Sequence, residues 1–467
     1  MSSKMAAAIG ATILLVGPFA AGAGETGPLP GPRVAALHHA AGGNARRPHD
    51  SESCSGVGSN SFVGGGTANY AYGTNATVVA GQSNAVCDDE SAIVAGENNT
   101  VSSNGFDAAL FSFIGGGSQN DVSGVDSVIG AGVDNKVSSE AATIVAGLGN
   151  SISGDYGLIG SGDSNQIETS NEGVIGGGTT NTIVAQNVGE TAYSGGSYSV
   201  IGGGAKNSIV GNADGKALYS ALGGGYGNAI TATYAAIAGG FTNRATGVGA
   251  SVGGGENNLA YGAAAAIPGG YHNVASGTAS FAAGYTAQAA ASGSFVWSDT
   301  SSTSVHVIST TADQFLARAA GGVYFYSNPS LTSGVRLSPG SGTWSSLSDR
   351  HMKTGIVQVD DSRILDKLAS LPVSEWSYTS ERGVRHIGPM AQDFYAAFKV
   401  GEDDRHITTI DEDGVALAAV KALHAENAVL RARNASLADR VESLETGQAE
   451  LRRDVESMRV RLNRAAR

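Results

Sequence analysis

The chain repeats the stretch Phe62-Val63-Gly64-Gly65-Gly66-Thr67-Ala68-Asn69, which is an apolar pair, a glycine cluster, two further residues and an asparagine. Self-similarity at a fixed period is typical of solenoids, in which each repeat forms one coil. Most steps are 15 residues, and three are longer, at 21, 26 and 21 residues, which predicts surface insertions at residues 100–113, 182–199 and 208–220. The marker asparagines are Asn69, Asn84, Asn99, Asn120, Asn135, Asn150, Asn165, Asn181, Asn207, Asn228, Asn243, Asn258 and Asn273.

The residues of one repeat predict two short strands and a turn. A strand such as Ala236-Ile237-Ala238 points alternate side chains inward, and a second one, such as Arg244-Ala245-Thr246, closes the coil. The glycine cluster and the asparagine are expected to turn the chain, because both residue types tolerate positive φ. Each coil offers only small or medium side chains for burial. We therefore expect a thin core in a single chain, and several chains packed around an axis.

The composition supports an elongated fold and excludes one class of partner. Glycine accounts for 69 of the 467 residues and aromatic residues for 6%, too few for one conventional core. The net charge is −13. Between Pro48 and Ala317 the only cations are Lys136, Lys206, Lys216 and Arg244. A surface so poor in cations cannot neutralise phosphates, so we expect no nucleic-acid binding.

The N-terminal residues 1–23 have the features of a secretory signal peptide: a cation at Lys4, an apolar stretch, and the cleavage pattern Ala21-Gly22-Ala23. The alternative is an uncleaved membrane anchor, which the short, Ala/Gly-rich segment disfavours. The protein is thus expected to be secreted or at the cell surface, with no membrane span after signal cleavage. Residues 24–55 are a Pro/Gly-rich linker.

The two cysteines, Cys54 and Cys87, lie near the start of the repeats. In an exported protein they could form a disulfide that staples the first coils. Two buried thiols are the alternative, and the sequence leaves both interpretations open.

The repeats resemble the head of trimeric autotransporter adhesins over residues 60–290. This resemblance implies a homotrimer of left-handed β-rolls and an unknown extracellular ligand, either a surface glycan or a protein. We assign the head to residues 56–294. Residues 295–346 are predicted as a β neck, with a hairpin in which strands at 313–319 and 323–327 flank Gly321-Gly322.

The C-terminal residues 415–467 have the heptad pattern of a coiled coil. The polar seam residues Asn427, Asn434 and Gln448 are expected to fix register and strand number. The seam positions are Val420, Leu423, Asn427, Leu430, Asn434, Leu437, Val441, Leu444, Gln448, Leu451, Val455, Met458 and Leu462.

One motif carries chemistry: Ser348-Asp349-Arg350-His351-Met352-Lys353-Thr354-Gly355-Ile356. Together with the blocks at 364–373 and 386–394 and the coiled coil, it resembles the intramolecular chaperone auto-processing domain of phage endosialidases and tail spikes, over residues 346–440. The resemblance implies a trimeric chaperone at 347–414 that folds the preceding fibre and then cuts the Leu347–Ser348 bond. Carried over by position, Ser348 is the nucleophile and Lys353 its partner.

The chemistry of this motif is reasonable on its own residues. A serine hydroxyl is a weak nucleophile that needs a base, and a lysine can serve if burial lowers its pKa. An acyl shift from nitrogen to oxygen, followed by hydrolysis, would make the chain a single-turnover serine auto-endopeptidase acting only on itself. The alternative is an ordinary turn with a solvated Lys353. Asp349 and His351, with Arg350, are candidates for orienting the site or pairing between chains.

Cofactor and metal sites are not expected. No Cys/His cluster has zinc-ligand spacing, and the glycine runs lack the Lys-Ser/Thr that completes a phosphate loop. The 15-residue period and scarce aspartate argue against calcium-binding repeats at 223–228. His386 is interpreted as a packing or hydrogen-bonding residue.

The sequence thus predicts a mainly β protein: a trimeric β-roll or β-solenoid of ~15-residue repeats, a β neck, a small α/β chaperone domain and a trimeric coiled coil. The leading hypothesis is a secreted adhesin-like fibre with a self-cleaving chaperone. The alternatives are an uncleaved structural protein with a permanent C-terminal clamp, a phage tail fibre, and an enzyme acting on external polymers. The last has no catalytic constellation in the repeats.

Overall fold

The computed structural model describes residues 58–103, 109–184, 197–211 and 217–466, which form two compact units divided between Gly322 and Val323. The predicted signal peptide, the linker and Cys54 lie outside the described residues, as do parts of the three insertions. Cys87 is described and is not a free thiol, but its pairing with Cys54 stays a prediction. Within the described ranges, no helix is long and apolar enough to cross a membrane.

The first unit is a β-solenoid of about 14 turns, which confirms the predicted fold class. Each coil contributes one short strand to each of two parallel sheets, here called sheet A and sheet B. Phe62 pairs with Thr77, one 15-residue step later, in the typical rung. The strands of sheet A are Phe62–Val63, Thr77–Val78, Ala92–Ile93, Phe113–Ile114, Val128–Ile129, Thr143–Ile144, Leu158–Ile159, Val174–Ile175, Val200–Ile201, Ala221–Leu222, Ala236–Ile237, Ser251–Val252, Ala266–Ile267, Gly270–Tyr271, Phe281–Tyr285, Phe295–Ser298 and Phe315–Arg318.

Sheet B runs beside sheet A and has the same register from coil to coil. Tyr70, for example, pairs with Ala85. The strands of sheet B are Tyr70–Ala71, Ala85–Val86, Thr100–Val101, Asp121–Val122, Lys136–Val137, Ser151–Ile152, Gln166–Glu168, Thr182–Val184, Ser208–Val210, Ala229–Ile230, Arg244–Ala245, Leu259–Ala260, Val274–Ala275, Ala287–Ala289 and Val307–Ile308.

The three long steps do not break either sheet. Ile93 pairs with Ile114, and Ile175 pairs with Ile201, which in turn pairs with Leu222. Sheet A therefore continues in register across each of the three long steps, and the predicted surface position of the extra residues stays a prediction.

The core of the solenoid is closed within a single chain and is built from the small and medium side chains that the repeat predicts. The second residue of nearly every two-residue strand points inward and is fully buried, as with Ile144 on sheet A and Val137 on sheet B. Parallel in-register pairing stacks these side chains into two continuous columns. Full burial of each isoleucine or valine stabilises the fold by about 1.5–3 kcal/mol.

The marker asparagines have a different role from the predicted one. All except the half-buried Asn69 are buried, and they form a ladder, in which Asn99 Nδ2 donates to Asn84 Oδ1 at 2.9 Å and to the carbonyl of Gly117 at 3.0 Å. Positive φ belongs instead to the preceding residue, as at Ser83 and Asn98. A buried amide is stable only when its polar atoms are paired, and the neighbouring coils supply those partners.

Glycine is required where neighbouring coils approach most closely. Gly81 has a φ of +110°, and a Cβ atom there would lie 2.2 Å from the carbonyl oxygen of Gly96. The third glycine of the repeat therefore both adopts the left-handed backbone and allows the coils to stack.

The end of the first unit differs from the prediction. Phe315–Arg318 pairs in parallel with Phe295–Ser298 and so continues sheet A, whereas Val323–Tyr326 pairs antiparallel with Gly334–Leu337. The predicted hairpin across Gly321-Gly322 is therefore wrong. Strands of coil geometry extend to Arg318 because the aromatic side chains at the start of each strand stack, with 4.9 Å between the ring centroids of Phe295 and Phe315.

The second unit is a small α/β domain followed by one long helix. A three-stranded antiparallel sheet comes before the shorter helices. The two strands of a second sheet lie between helices α1 and α2 in the sequence. The elements are strands Val323–Tyr326, Gly334–Leu337 and Trp344–Ser346, a 3₁₀ helix Arg350–Met352, helix α1 Asp361–Ser370, strands Ser374–Trp376 and His386–Gly388, helix α2 Ala391–Phe398 and helix α3 Thr409–Ala465.

The beginning of α3 is fixed to the domain. Phe394 and Phe398 of α2 pack with Val415 of α3 in a buried cluster, and Lys421 Nζ lies 2.7 Å from Asp361 Oδ2 of α1. All predicted seam positions are helical, and the apolar seam side chains are exposed in the single chain, Leu437 by 50%. Association of this helix into a coiled coil stays a prediction.

Candidate functional site

The Leu347–Ser348 bond lies at the end of a strand. Trp344–Ser346 pairs antiparallel with Gly334–Leu337, and beyond the strand the amide of Leu347 donates to the Gly334 carbonyl at 3.3 Å. Strand pairing therefore fixes the acyl side of the predicted cleavage site.

A tight turn follows on the other side of the bond. Asp349 caps the 3₁₀ helix Arg350–Met352, because its Oδ1 atom accepts from the amide of His351 at 2.9 Å. The amide of Lys353 donates to the Arg350 carbonyl at 3.1 Å and closes the turn. The chain consequently doubles back within five residues.

This turn brings the two predicted catalytic residues together. Lys353 Nζ donates to Ser348 Oγ across 2.7 Å. Proton transfer needs a separation of about 2.6–3.2 Å between heavy atoms, and this pair is within it. The separation suits a serine nucleophile beside a lysine base.

The predicted supporting residues act on the turn and do not contact the pair. His351 Nδ1 lies 2.9 Å from Asp349 Oδ1, which also accepts from the His351 amide. The backbone hydrogen bond from His351, and to a smaller extent the side-chain one, lowers the pKa of Asp349 below its usual value. Asp349 therefore stays ionised near neutral pH and holds the turn that carries Lys353.

A groove of about 330 Å³ lies against the bond. Ser348 and Lys353 are both exposed in the single chain. The sequence did not indicate this groove, since the strand that opposes the cleavage site was not predicted. Its lining residues are Tyr324, Tyr326, Leu331, Gly334, Val335, Arg336, Ser345, Ser346, Leu347 and Ser348.

His386 packs against aromatic side chains, as predicted. Its ring stacks on Trp376 with 4.7 Å between centroids and meets Tyr378 edge-on at 5.5 Å. Over the described part of the chain, no three His, Cys, Asp or Glu side chains are grouped to hold a metal ion.

A second surface feature follows the insertions of the solenoid. Tyr198, Tyr219 and Tyr234 occupy the same left-handed turn position in successive coils, and their rings stack at 5.0 and 5.6 Å. Tyr198 and Tyr219 lie near the ends of the predicted insertions at 182–199 and 208–220. We call the three stacked rings the tyrosine column.

Comparison with known families matches residues 348–400 to the peptidase family described as chaperone of endosialidase. The match starts at Ser348 and covers the 3₁₀ turn, α1, the two-stranded sheet and α2. The family implies self-cleaving peptidase activity and a trimeric assembly. No curated protein matches the chain.

Proposed function

We propose that this protein is a secreted, trimeric, adhesin-like fibre whose C-terminal domain assists trimer folding and then cuts the chain between Leu347 and Ser348. A β-solenoid joined to a chaperone-of-endosialidase domain fits a tail-spike-like trimer. The observation that carries the cleavage half is the 2.7 Å contact from Lys353 Nζ to Ser348 Oγ, at the first residue of the matched domain.

The proposed reaction has two steps. Ser348 Oγ attacks the carbonyl carbon of Leu347 while its proton passes to the neutral amine of Lys353. The peptide C–N bond breaks, the amine of Ser348 takes the proton, and an ester joins Leu347 to Ser348 Oγ. Water then hydrolyses the ester, which leaves a carboxylate on Leu347 and restores the hydroxyl of Ser348. Each chain is cut once.

The state of Lys353 connects cleavage to assembly. In the single chain Lys353 is exposed and hydrogen-bonded to Ser348 Oγ. Burial favours the neutral form of an amine, because the charged form loses its hydration. We expect neighbouring chains to cover the site on trimerisation, so that cutting follows folding.

The mature product would be the fibre, about residues 24–347, and residues 348–467 would be the discarded folding aid. We assign ligand binding to the insertions at 100–113, 182–199 and 208–220, because surface loops commonly carry binding residues. The tyrosine column supports this assignment for an extracellular glycan or protein, since tyrosine combines an apolar face with a hydroxyl.

A second candidate function keeps the domain attached. The row of exposed apolar side chains along α3, together with the Lys421–Asp361 ion pair that ties α3 to α1, suits a permanent trimerisation clamp. In this case the Ser348–Lys353 pair would be vestigial.

The protein recovered from a host that exports it distinguishes the self-cleaving fibre from the permanent clamp. Mass analysis of the fibre recovered from the medium or cell surface is expected to show a C-terminus at Leu347. Full-length chains in that material, still trimeric, would favour the clamp and remove the cleavage half of the proposal.

A further inference from the structure

The outer face of sheet A is uncharged along its whole length. The first residue of most of its strands is exposed or half-buried while the next is buried. Within the described strands no residue of this outer row carries a charge. The row is Phe62, Thr77, Ala92, Phe113, Val128, Thr143, Leu158, Val174, Val200, Ala221, Ala236, Ser251, Ala266, Phe281, Phe295 and Phe315.

A second outward row, two residues further along each strand, is equally apolar. It consists of glycines and of apolar side chains such as Val79, Val94 and Val145, which are 44%, 39% and 53% exposed. A parallel sheet that is apolar on both faces is normally covered on both faces. The inner face is covered by the core, and the outer face is open in the single chain.

Sheet B shows that this pattern is not general to the coil. Its outward positions include Asp121, Lys136, Glu168 and Arg244, and Lys136 Nζ lies 3.4 Å from Asp121 Oδ2 on the surface. Charged side chains that stay exposed are typical of a face in contact with water. The two sheets of one solenoid therefore have different environments.

We propose that the outer face of sheet A is the surface on which copies of this chain pack against one another. The row recurs at every coil, roughly 4.8 Å apart, so a partner must present apolar groups at the same spacing over the same length. A second copy of the solenoid has that spacing. This inference rests on the trimeric fibre proposed above, for which it supplies the interface.

Charge favours the same occupant. With a net charge of −13, two copies repel each other over most of their surfaces. Sheet A lets them meet without burying an unpaired charge, which would be costly.

The closest approach is expected in one part of the face. Between Ala221 and Ala266 the outer row is formed by small residues, which leave a concavity of about 550 Å³ that ends at Phe281. Beyond it the rings of Phe281, Phe295 and Phe315 stack at 4.4 and 4.9 Å. Ala236, in the middle of the concavity, is therefore the most sensitive position to probe.

A matched pair of alanines tests the interface. Ala229 points outward on sheet B and Ala236 on sheet A, within one coil. A photo-reactive phenylalanine derivative is placed at either position of the full-length chain, and the illuminated protein is run on a denaturing gel. Covalent dimers and trimers of this chain are expected from position 236 and not from position 229.

The readout is independent of self-cleavage and of α3. Cross-linking at 236 in an uncut chain would support the interface while cleavage failed. Cutting without cross-links at 236, or cross-links at 229 alone, would overturn the inference and leave the cleavage proposal standing. As a second measurement, Ala236→Glu is expected to weaken cross-linking from a probe at Ala221, whereas Ala229→Glu leaves it unchanged. Equal effects of the two variants would also overturn it.

Discussion

The amide of Leu347 donates to the carbonyl of Gly334, so the acyl side of the predicted cleavage site is part of an antiparallel sheet. On the other side, Ser348 enters a capped turn that returns Lys353 to its hydroxyl. The bond is thus fixed from both ends by elements that lie close to it in sequence.

Replacing Gly334 by alanine is expected to slow cleavage about a hundredfold, the effect of a displacement of roughly 1 Å in a reacting group. A Cβ atom at Gly334 would lie 2.0 Å from the carbonyl oxygen of Phe325, which forces the strand to move. The rate is read from the appearance of the short fragment over time. Gly342→Ala, at a glycine with open space around it, is the control. Equal rates for both variants would show that the sheet does not position the bond.

Asp349→Ala is expected to slow cleavage about fivefold, since the turn loses its N-cap. Asp349→Asn retains the cap acceptor and is expected to remain close to wild type. A loss that is equally large for both variants would mean that the charge, rather than the cap, matters.

The same cap has a predictable pH dependence. The folded-state pKa of Asp349 is lowered, so its stabilisation is complete above the carboxyl's unfolded value, 3.8, and is lost as the pH falls through the lower folded value. The difference in stability between wild type and Asp349→Ala should therefore be constant from neutral pH down to the unfolded-state pKa of the carboxyl. A difference that disappears near pH 6 would contradict this assignment.

The last coils of the solenoid depend on Arg318. Its guanidinium lies 2.9 Å from Asp299 Oδ1 and donates to Ser298 Oγ and to the Ser302 carbonyl. Arg318→Ala is expected to lower the thermal midpoint of the first unit by about 5 °C. Lys136→Ala, which removes an exposed ion pair, should change it by less than about 1 °C. Indistinguishable midpoints would show that the Arg318 network adds nothing.

Cleavage is expected to require association through α3. Leu437→Asp places a charge in the predicted seam, where burial between helices would be costly, and should reduce both trimer formation and cleavage. Ser436→Asp, one residue off the seam, is the control. Sedimentation and fragment yield are measured on the same samples. A monomeric Leu437→Asp chain that is still cut would separate cleavage from assembly.

The sequence predicted what depends on local pattern. The period predicted the strands and the three long steps between them, and the motif named Ser348 and Lys353, which the structure brings within 2.7 Å of each other. The sequence-based prediction failed where one residue type can have either of two roles. The repeat predicts a turn role for Asn84 and its equivalents, whereas they stack as a buried ladder, because only the stacked coils supply the partners of their amides.

Long-range strand pairing was the other failure. The local pattern is that of a hairpin between Phe315–Arg318 and Val323–Tyr326. Each of these strands instead pairs with a different strand, which the local sequence does not indicate. The groove beside Leu347 was missed for the same reason, since it exists only once Gly334–Leu337 lies between two other strands.

The most direct test of the central claim is the intact mass of the purified full-length protein beside Ser348→Ala, Lys353→Arg and the control Ser346→Ala. Arginine stays protonated and cannot act as a base. Wild type and Ser346→Ala are expected to split into a fragment that ends at Leu347 and one that begins at Ser348, while the other two variants stay whole. A wild-type chain that forms trimers and remains uncut, or a Ser348→Ala chain that is still cut at this bond, would contradict the account.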